Sequence, residues 1–129
     1  MNIYIVICVV ILAMRRDMEP YRLKAALCKV FTDPRRLMII NELWEGEKAV
    51  GDLAKTLELP QAVTSRLLAF LRERGVVIPR REGANVYYRL SNPKIVQACD
   101  LIHGVLINQI EENKELAERI NHQVPEGAA

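Results

Sequence analysis

The sequence has few of the residues that build metal centres, disulfide frameworks or catalytic sites. Its 129 residues include three cysteines and two histidines. Cys8, Cys28 and Cys99 form no C-x-x-C pair, which excludes a zinc-finger framework, and their odd number argues against a disulfide scaffold. The sequence contains no glycine-rich phosphate loop and its candidate acids, bases and nucleophiles are scattered, so it does not predict an enzyme. These absences favour one globular domain in the reducing cytoplasm.

The net charge is also small, at +2, and the distribution of charged residues along the chain is more informative than this total. Residues 66–89 include six arginines and only two acids, Glu73 and Glu82, whereas the tail over 100–126 is acidic. A basic segment in a nearly neutral chain indicates an anionic partner such as nucleic acid. A solvated surface without a partner is the alternative interpretation.

The N-terminal segment is an apolar run from Ile3 to Met14, followed by Arg15 and Arg16. At about 12 residues it is too short to span a bilayer, which takes roughly 20. It lacks the leading positive charge and the small-residue cleavage site of a signal peptide. Three interpretations remain: an upstream start with Met14 or Met18 as the true initiator, an added strand or helix that packs on a partner, or a weak membrane anchor. We expect the first, and we expect no membrane partner.

Four helices are predicted before residue 75 from the helical spacing of apolar residues. They cover about 20–31, 34–45, 50–57 and 60–74. Asp33 can cap the second helix, and Pro34 can occupy its first position. The side chains expected to face the core from this helix are Leu37, Ile40, Leu43 and Trp44. The third and fourth helices are joined by about three or four residues, which is typical of a helix-turn-helix motif.

The helix predicted between Pro60 and Arg74 has two faces of different chemistry. Its core-facing side is expected to carry Val63, Leu67, Phe70 and Leu71. The opposite side is short, polar and cationic, and it comprises Gln61, Ala62, Ser65, Arg66, Ala69 and Arg72. In a DNA major groove, glutamine can pair with adenine and arginine with guanine. The sequence therefore predicts that this helix reads DNA, with Gln61 and Arg66 making the base contacts.

A β-hairpin is predicted after this helix. Val76–Ile78 is apolar and β-branched, Pro79 ends or edges that strand, and residues 80–85 read as a polar turn. Val86–Leu90 alternates as a half-buried strand does. A hairpin that directly follows a recognition helix is a wing, and its basic tip can reach a phosphate or the minor groove.

The last helix is predicted to run from about Asn92 to Asn121. Its apolar stripe is wider than one helix face, and a helix of roughly 43 Å cannot bury such a stripe on a small domain. The pattern therefore predicts a partner surface, most simply a second copy of the chain. We assign residues 1–17 to an extension, 18–123 to the domain and 124–129 to a frayed tail.

Taken in order, six segments resemble the ArsR family of bacterial and archaeal winged-helix repressors. They are Phe31–Leu37, Val50–Ala54, Ser65–Arg66 with Leu68, Leu71–Val77, Arg81–Gly83 and Val86–Leu90. The resemblance covers about two thirds of the chain, roughly residues 23–106. It implies a mainly α fold with a small β-hairpin wing, a winged helix-turn-helix that is dimeric through the first and last helices. It also implies a repressor that leaves a palindromic operator when an effector acts.

The predicted DNA contacts combine this resemblance with the polar face of the fourth helix. They are Gln61, Ala62, Thr64, Ser65, Arg66, Arg72, Arg80 and Arg81. The three last-named arginines are expected mainly to meet phosphates, which sets affinity and salt dependence without reading sequence. Two copies should address half-sites about one turn, roughly 10 bp, apart.

The family's usual metal ligands are absent from this sequence. The arsenic- and cadmium-type members carry two cysteines where this chain has Ala49 and Gly51. The positions of the zinc-type ligands hold Asn92, Lys94, Val105 and Asn108. The resemblance therefore does not identify a sensor of arsenic, cadmium or zinc through these sites.

Cys28, Cys99 and His103 are the remaining candidates for a sensor. In the family, the first and last helices pack together, so the two cysteines could form a disulfide or a polysulfide bridge. With His103, four residues after Cys99, they could instead bind a soft ion such as As(III). The alternative is that both cysteines are ordinary packing residues, because cysteine is a common small buried hydrophobe.

Two other functions compete with a DNA-binding repressor. A winged-helix adaptor that binds protein would carry a more apolar face at Gln61, Ser65 and Arg66. A MarR-like regulator that responds to small organic ligands usually has a longer chain and more helix before the reading motif.

Overall fold

The structure is a computed structural model that describes residues 2–123, apart from the side chains at positions 14, 16, 122 and 123. The predicted frayed tail, 124–129, lies outside the described residues. The chain divides into two compact units, and the boundary in the sequence lies between Ser91 and Asn92. In chain order the elements are α1 (Ile3–Arg16), α2 (Glu19–Cys28), a 3₁₀ turn (Lys29–Thr32), α3 (Pro34–Trp44), β1 (Lys48–Ala49), α4 (Val50–Leu57), α5 (Gln61–Glu73), β2 (Val77–Glu82), β3 (Asn85–Leu90) and α6 (Lys94–Gln123).

Local signals explain where α3 and α6 begin. Asp33 caps α3 because its Oδ1 accepts the backbone N–H of Arg35 at 2.8 Å, and Pro34 occupies the first turn. Asn92 makes the same bond to the N–H of Lys94 at 2.9 Å, at the start of α6. Both starts were predictable because the cap and the proline act within three residues of sequence.

The core of the first unit lies between α3, α4, α5 and the sheet. It consists of apolar side chains and one hydroxyl: Val30, Ile39, Ile40, Leu43, Leu53, Ala54, Leu57, Thr64, Leu67, Leu68, Leu71, Val76 and Val77. The prediction for α3 is wrong at Leu37 and Trp44, which are 38% and 58% exposed, and it missed Ile39. The buried stripe of α3 is rotated from the predicted one because the core lies against Ile39, Ile40 and Leu43.

The sheet has three antiparallel strands in the order β1-β3-β2. In the hairpin, Glu82 pairs with Asn85, so the turn consists of Gly83 and Ala84 alone. Gly83 has φ +61°, which a two-residue turn with glycine at its first central position requires. The turn predicted over 80–85 is therefore too long. Pro79 does not end β2, because an edge strand tolerates a residue with no N–H on its open side.

Helix α1 is exposed along its whole described length, including every side chain from Ile3 to Leu12. Asn2 caps it by accepting the N–H of Tyr4 at 3.1 Å. Among residues 2–123, no helix combines the length and the apolar character that crossing a membrane needs.

The second unit contains α6, whose 30 residues correspond to about 45 Å. Its exposed large apolar side chains are Leu101, Ile102, Val105, Leu106, Ile107, Ile110, Leu116 and Ile120. They lie on several faces of the helix, as the broad stripe in the sequence predicted.

Candidate nucleic-acid interface

The turn between α4 and α5 fixes the direction of the exposed helix. At the end of α4, the N–H of Leu59 donates to the carbonyl of Ala54 at 3.0 Å and that of Glu58 to Lys55 at 3.2 Å. This hydrogen-bond pattern is typical of a helix end whose last residue has a left-handed backbone, and here that residue is Glu58, with φ +54°. Pro60 then leads directly into α5. The two helices are therefore joined by three residues, as predicted.

The outer face of α5 is exposed at all six predicted positions: Gln61, Ala62, Ser65, Arg66, Ala69 and Arg72. The buried face consists of Thr64, Leu67, Leu68 and Leu71. Val63 and Phe70, which were expected in the core, are only half-buried. The helix is thus rotated slightly from its predicted orientation, while the polar side still faces outward.

Thr64 corrects the predicted set of DNA contacts. Its side chain is 0% exposed, and its hydroxyl donates to the carbonyl of Pro60 at 3.1 Å. A side chain that is fully enclosed and already hydrogen-bonded cannot touch a ligand at the surface. The prediction for Thr64 is therefore wrong, and the residue instead closes the first turn of α5.

Two arginines enclose the ring of Phe70. The guanidinium carbons of Arg36 and Arg74 lie 4.2 Å and 4.4 Å from its centroid, within cation–π range. Arg36 also donates to the carbonyls of Val30 and Lys29 at 3.1 Å and 2.7 Å. These bonds explain why Phe70 lies at the edge of the core: its ring packs α5 against α3 and the 3₁₀ turn.

The two basic residues of the wing differ in their surroundings. Arg80 pairs with Glu47, its Nε lying 3.0 Å from the carboxylate, and with Glu82 at 2.7 Å. Its hydrogen bonds lower the pKa of the Glu47 carboxyl, and both carboxylates raise the pKa of Arg80. Arg81 is exposed and forms no ion pair within residues 2–123. Arg81 is thus the more available of the two to an external anion.

A cleft of about 440 Å³ separates α5 from the tip of the wing and the start of α4. Gln61 and Ser65 line it from α5, Asn85 and Tyr87 from β3, and Asp52 from α4. The structure therefore brings Gln61 and Ser65 together on the wing side of α5. Asn85 and Asp52 also line this cleft and were not among the predicted residues, because no local pattern distinguishes them from ordinary polar surface residues.

The candidate sensor residues are divided between the two units. Cys28 is the last residue of α2 and is exposed, whereas Cys99 is half-buried in α6 and His103 is exposed there. Burial, and secondarily the charge of Asp100, raises the pKa of the Cys99 thiol. Within the part of the chain described, no three histidine, cysteine or acidic residues are grouped as a metal site.

Helices α4 and α5, the hairpin β2–β3 and the polar outer face define a winged helix-turn-helix, a class of DNA-binding domain. Residues 33–78 match the family model for bacterial regulatory proteins of the arsR family. The chain belongs to this ArsR family, and it is a DNA-binding transcription regulator.

Known members of the family align with this chain over most of their own length. The transcriptional activator HlyU of Vibrio cholerae is 38% identical over 89 residues, 68% of this chain and 82% of HlyU. A biofilm growth-associated repressor of Xylella fastidiosa is 35% identical over 96 residues, 74% and 84% of the two chains. The homodimeric winged helix-turn-helix DNA-binding domain of Mb0332 from Mycobacterium bovis superimposes with a TM-score of 0.66 at 28% identity. The match covers 74% of this chain and 91% of that domain. The predicted family and the predicted winged helix-turn-helix fold are confirmed.

Proposed function

We propose that this chain is a homodimeric repressor that binds a palindromic operator in the cytoplasm and is released by thiol chemistry. The exposed outer face of α5 carries the proposal. It has no large apolar side chain, which favours DNA over the protein surface that an adaptor would need. A dimer that covers two half-sites represses simply by occupying promoter DNA.

In the proposed complex, α5 lies in the major groove. Gln61 pairs with adenine and Arg66 with guanine, while Ser65 and Ala62 allow close approach. Arg72 and Arg81 contact phosphates. Arg80 contributes less than the sequence predicted, because two carboxylates already compensate its charge.

The proposed dimer is supported by the apolar surface that α6 leaves exposed. Leu101 is 74% exposed, and Ile102 and Val105 are more than half exposed. Side chains of this size are normally withdrawn from water in the functional assembly. Two-fold pairing of copies also presents two α5 helices in the symmetry of a palindrome.

Selection from a random DNA library tests the readout. The purified chain should enrich a palindrome whose half-site centres lie about 10 bp apart, or a multiple of that spacing. Each half-site should contain the adenine and guanine that Gln61 and Arg66 prefer. Enrichment of a lone half-site contradicts the dimer, and no enrichment at physiological salt contradicts sequence-specific binding.

For the switch, we propose Cys28 and Cys99 as the pair that reacts. Cys28 is exposed and would meet an oxidant or polysulfide first. Burial raises the pKa of the Cys99 thiol and so lowers its thiolate fraction, which slows its reaction. Peroxide accepts the two electrons and two protons as the sulfurs join and is reduced to water; polysulfide instead inserts sulfur between them and releases sulfide.

Serine substitutions test this switch. The wild-type chain should release its operator when treated with peroxide or polysulfide, and Cys28→Ser and Cys99→Ser should retain it. Cys8→Ser is the matched control, because Cys8 is also an exposed thiol but lies on α1. Release of all three variants at the wild-type oxidant concentration contradicts the thiol pair. If the wild-type chain releases its operator with arsenite but not with peroxide or polysulfide, and Cys28→Ser and Cys99→Ser do not, the soft-ion alternative is favoured.

A further inference from the structure

A second cleft, of about 330 Å³, lies beside α5 on the side of α3. Three arginines and one acid line it, together with apolar side chains; the charged residues are Asp33, Arg35, Arg36 and Arg66. Its formal charge is therefore +2, from three positive groups and one negative. None of the predicted DNA contacts except Arg66 belongs to it.

The two clefts lie on opposite flanks of α5. Successive residues of an α-helix are rotated by about 100°, so Gln61 and Phe70 point in directions about 180° apart. Gln61 lines the cleft on the wing side, and Phe70 lines the cleft on the α3 side. Arg66 lies between the two flanks on the outward side of the helix.

Arg36 supplies a fixed positive charge to the α3-side cleft. Its side chain is only 12% exposed, and it is held by the carbonyls of Lys29 and Val30 and by the ring of Phe70. This largely enclosed guanidinium also lies 3.7 Å from the Asp33 carboxylate, and these contacts hold it in place, so it shapes the electrostatic potential without moving toward a ligand. The first turn of α3, which begins at Pro34, adds the positive end of an 11-residue helix dipole.

Besides Arg66, Arg35 can reach out of this cleft. Its side chain is 48% exposed and is held by Asp33, with Nε at 3.2 Å and Nη2 at 2.9 Å from the two carboxylate oxygens. These bonds from Arg35 lower the pKa of Asp33 to about 2, so the acid is ionised throughout the physiological range. The carboxylate orients Arg35 at the mouth of the cleft and occupies the fork that would bind another anion.

We infer that the α3-side cleft binds the sugar-phosphate backbone of one DNA strand, with Arg35 as the contacting residue and Asp33 as an internal competitor. The inference rests on the proposed function, which places α5 in the major groove. That groove is bordered by a phosphate backbone on each side, about 12 Å apart. The wing meets one backbone, and the α3-side cleft faces the other.

Salt-dependent binding of the full chain to a random-sequence duplex and to its selected operator tests the inference. Each phosphate contact contributes a slope of about 0.9 to the dependence of log K on log salt. Arg35→Ala should lower the slope by about 1.8 per dimer and weaken binding to both DNAs by roughly 30-fold at 0.15 M salt. Arg35→Lys should retain the slope, since it retains the charge.

Asp33→Asn provides a test that misfolding cannot imitate. Asparagine keeps the oxygen that caps α3 but removes the charge that competes for Arg35. We expect this variant to bind both DNAs roughly two- to fivefold more tightly. Arg22→Ala is the matched control, because Arg22 is also exposed and also has an acidic neighbour, Glu19, at 3.9 Å, but lines neither cleft.

The outcomes separate this inference from the function on which it rests. If Arg35→Ala folds and keeps the wild-type salt slope, or Asp33→Asn does not tighten binding, the cleft does not hold the backbone. That result leaves the reading of DNA by α5 intact if Arg66→Ala still weakens operator binding. If the wild-type chain binds neither DNA, the proposed function fails, and this inference fails with it.

Discussion

Arg66→Ala should weaken operator binding by the dimer between about 30-fold and 10⁴-fold, while binding to random DNA falls far less. A bidentate contact from arginine to guanine contributes about 1–3 kcal/mol of discrimination, and two copies contribute twice. The structure supports a strong effect because Arg66 is exposed on the outward side of α5. It forms no ion pair or side-chain hydrogen bond within residues 2–123, so no internal partner has to be given up.

Titration of both DNAs at one salt concentration measures this effect. Arg66→Lys separates charge from geometry, because lysine keeps the phosphate attraction but cannot form the planar two-bond fork. We expect the lysine variant to bind random DNA as the wild type does and to lose most of its preference for the operator. If Arg66→Ala retains wild-type operator affinity, α5 does not read DNA through this residue.

Leu68→Ala should lower the free energy of unfolding by about 2–5 kcal/mol, because it leaves a cavity in the core. Leu68 is 0% exposed and belongs to the buried face of α5. The loss is a large fraction of the roughly 5–15 kcal/mol by which such domains are stable. Since α5 is held in place through this face, the same substitution should reduce the fraction of chains able to bind DNA.

Chemical denaturation at one protein concentration measures the change, since the stability of a dimer depends on concentration. Leu37→Ala on α3 is the matched control: the same atoms are removed from a side chain that is 38% exposed. Its cost should be well below that of Leu68→Ala. Equal costs for the two variants would show that the assignment of the core face of α5 is wrong.

Local sequence signals were sufficient to predict where several helices begin or end and which side of α5 is exposed. Asp33–Pro34 and Asn92–Pro93 start helices through bonds that span two residues. Gly75, with φ +74°, ends α5 because a left-handed residue terminates a helix. The spacing of the polar residues from Gln61 to Arg72 predicted which side of α5 is exposed, because the 3.6-residue period of a helix sets which residues share a face, whatever the helix packs against.

Contacts between segments distant in sequence decided the rest. Thr64 is buried because the core-facing side of α5 is rotated from the stripe that the apolar pattern indicated, and Phe70 lies at the edge of the core between Arg36 and Arg74. Strand β1 forms only because Lys48 and Ala49 meet the tyrosines of β3, and a two-residue strand has no pattern of its own.

The sequence alone determined that this protein is a winged-helix DNA reader, because periodicity, caps and turn residues are local properties of the chain. Which of its arginines are free to meet DNA was decided by the tertiary structure. Arg80 is compensated by Glu47, which lies 33 positions away, Arg36 is fixed under Phe70, and Arg66 points outward. The charge of an arginine follows from its identity, but its availability depends on acceptors that only folding brings within reach.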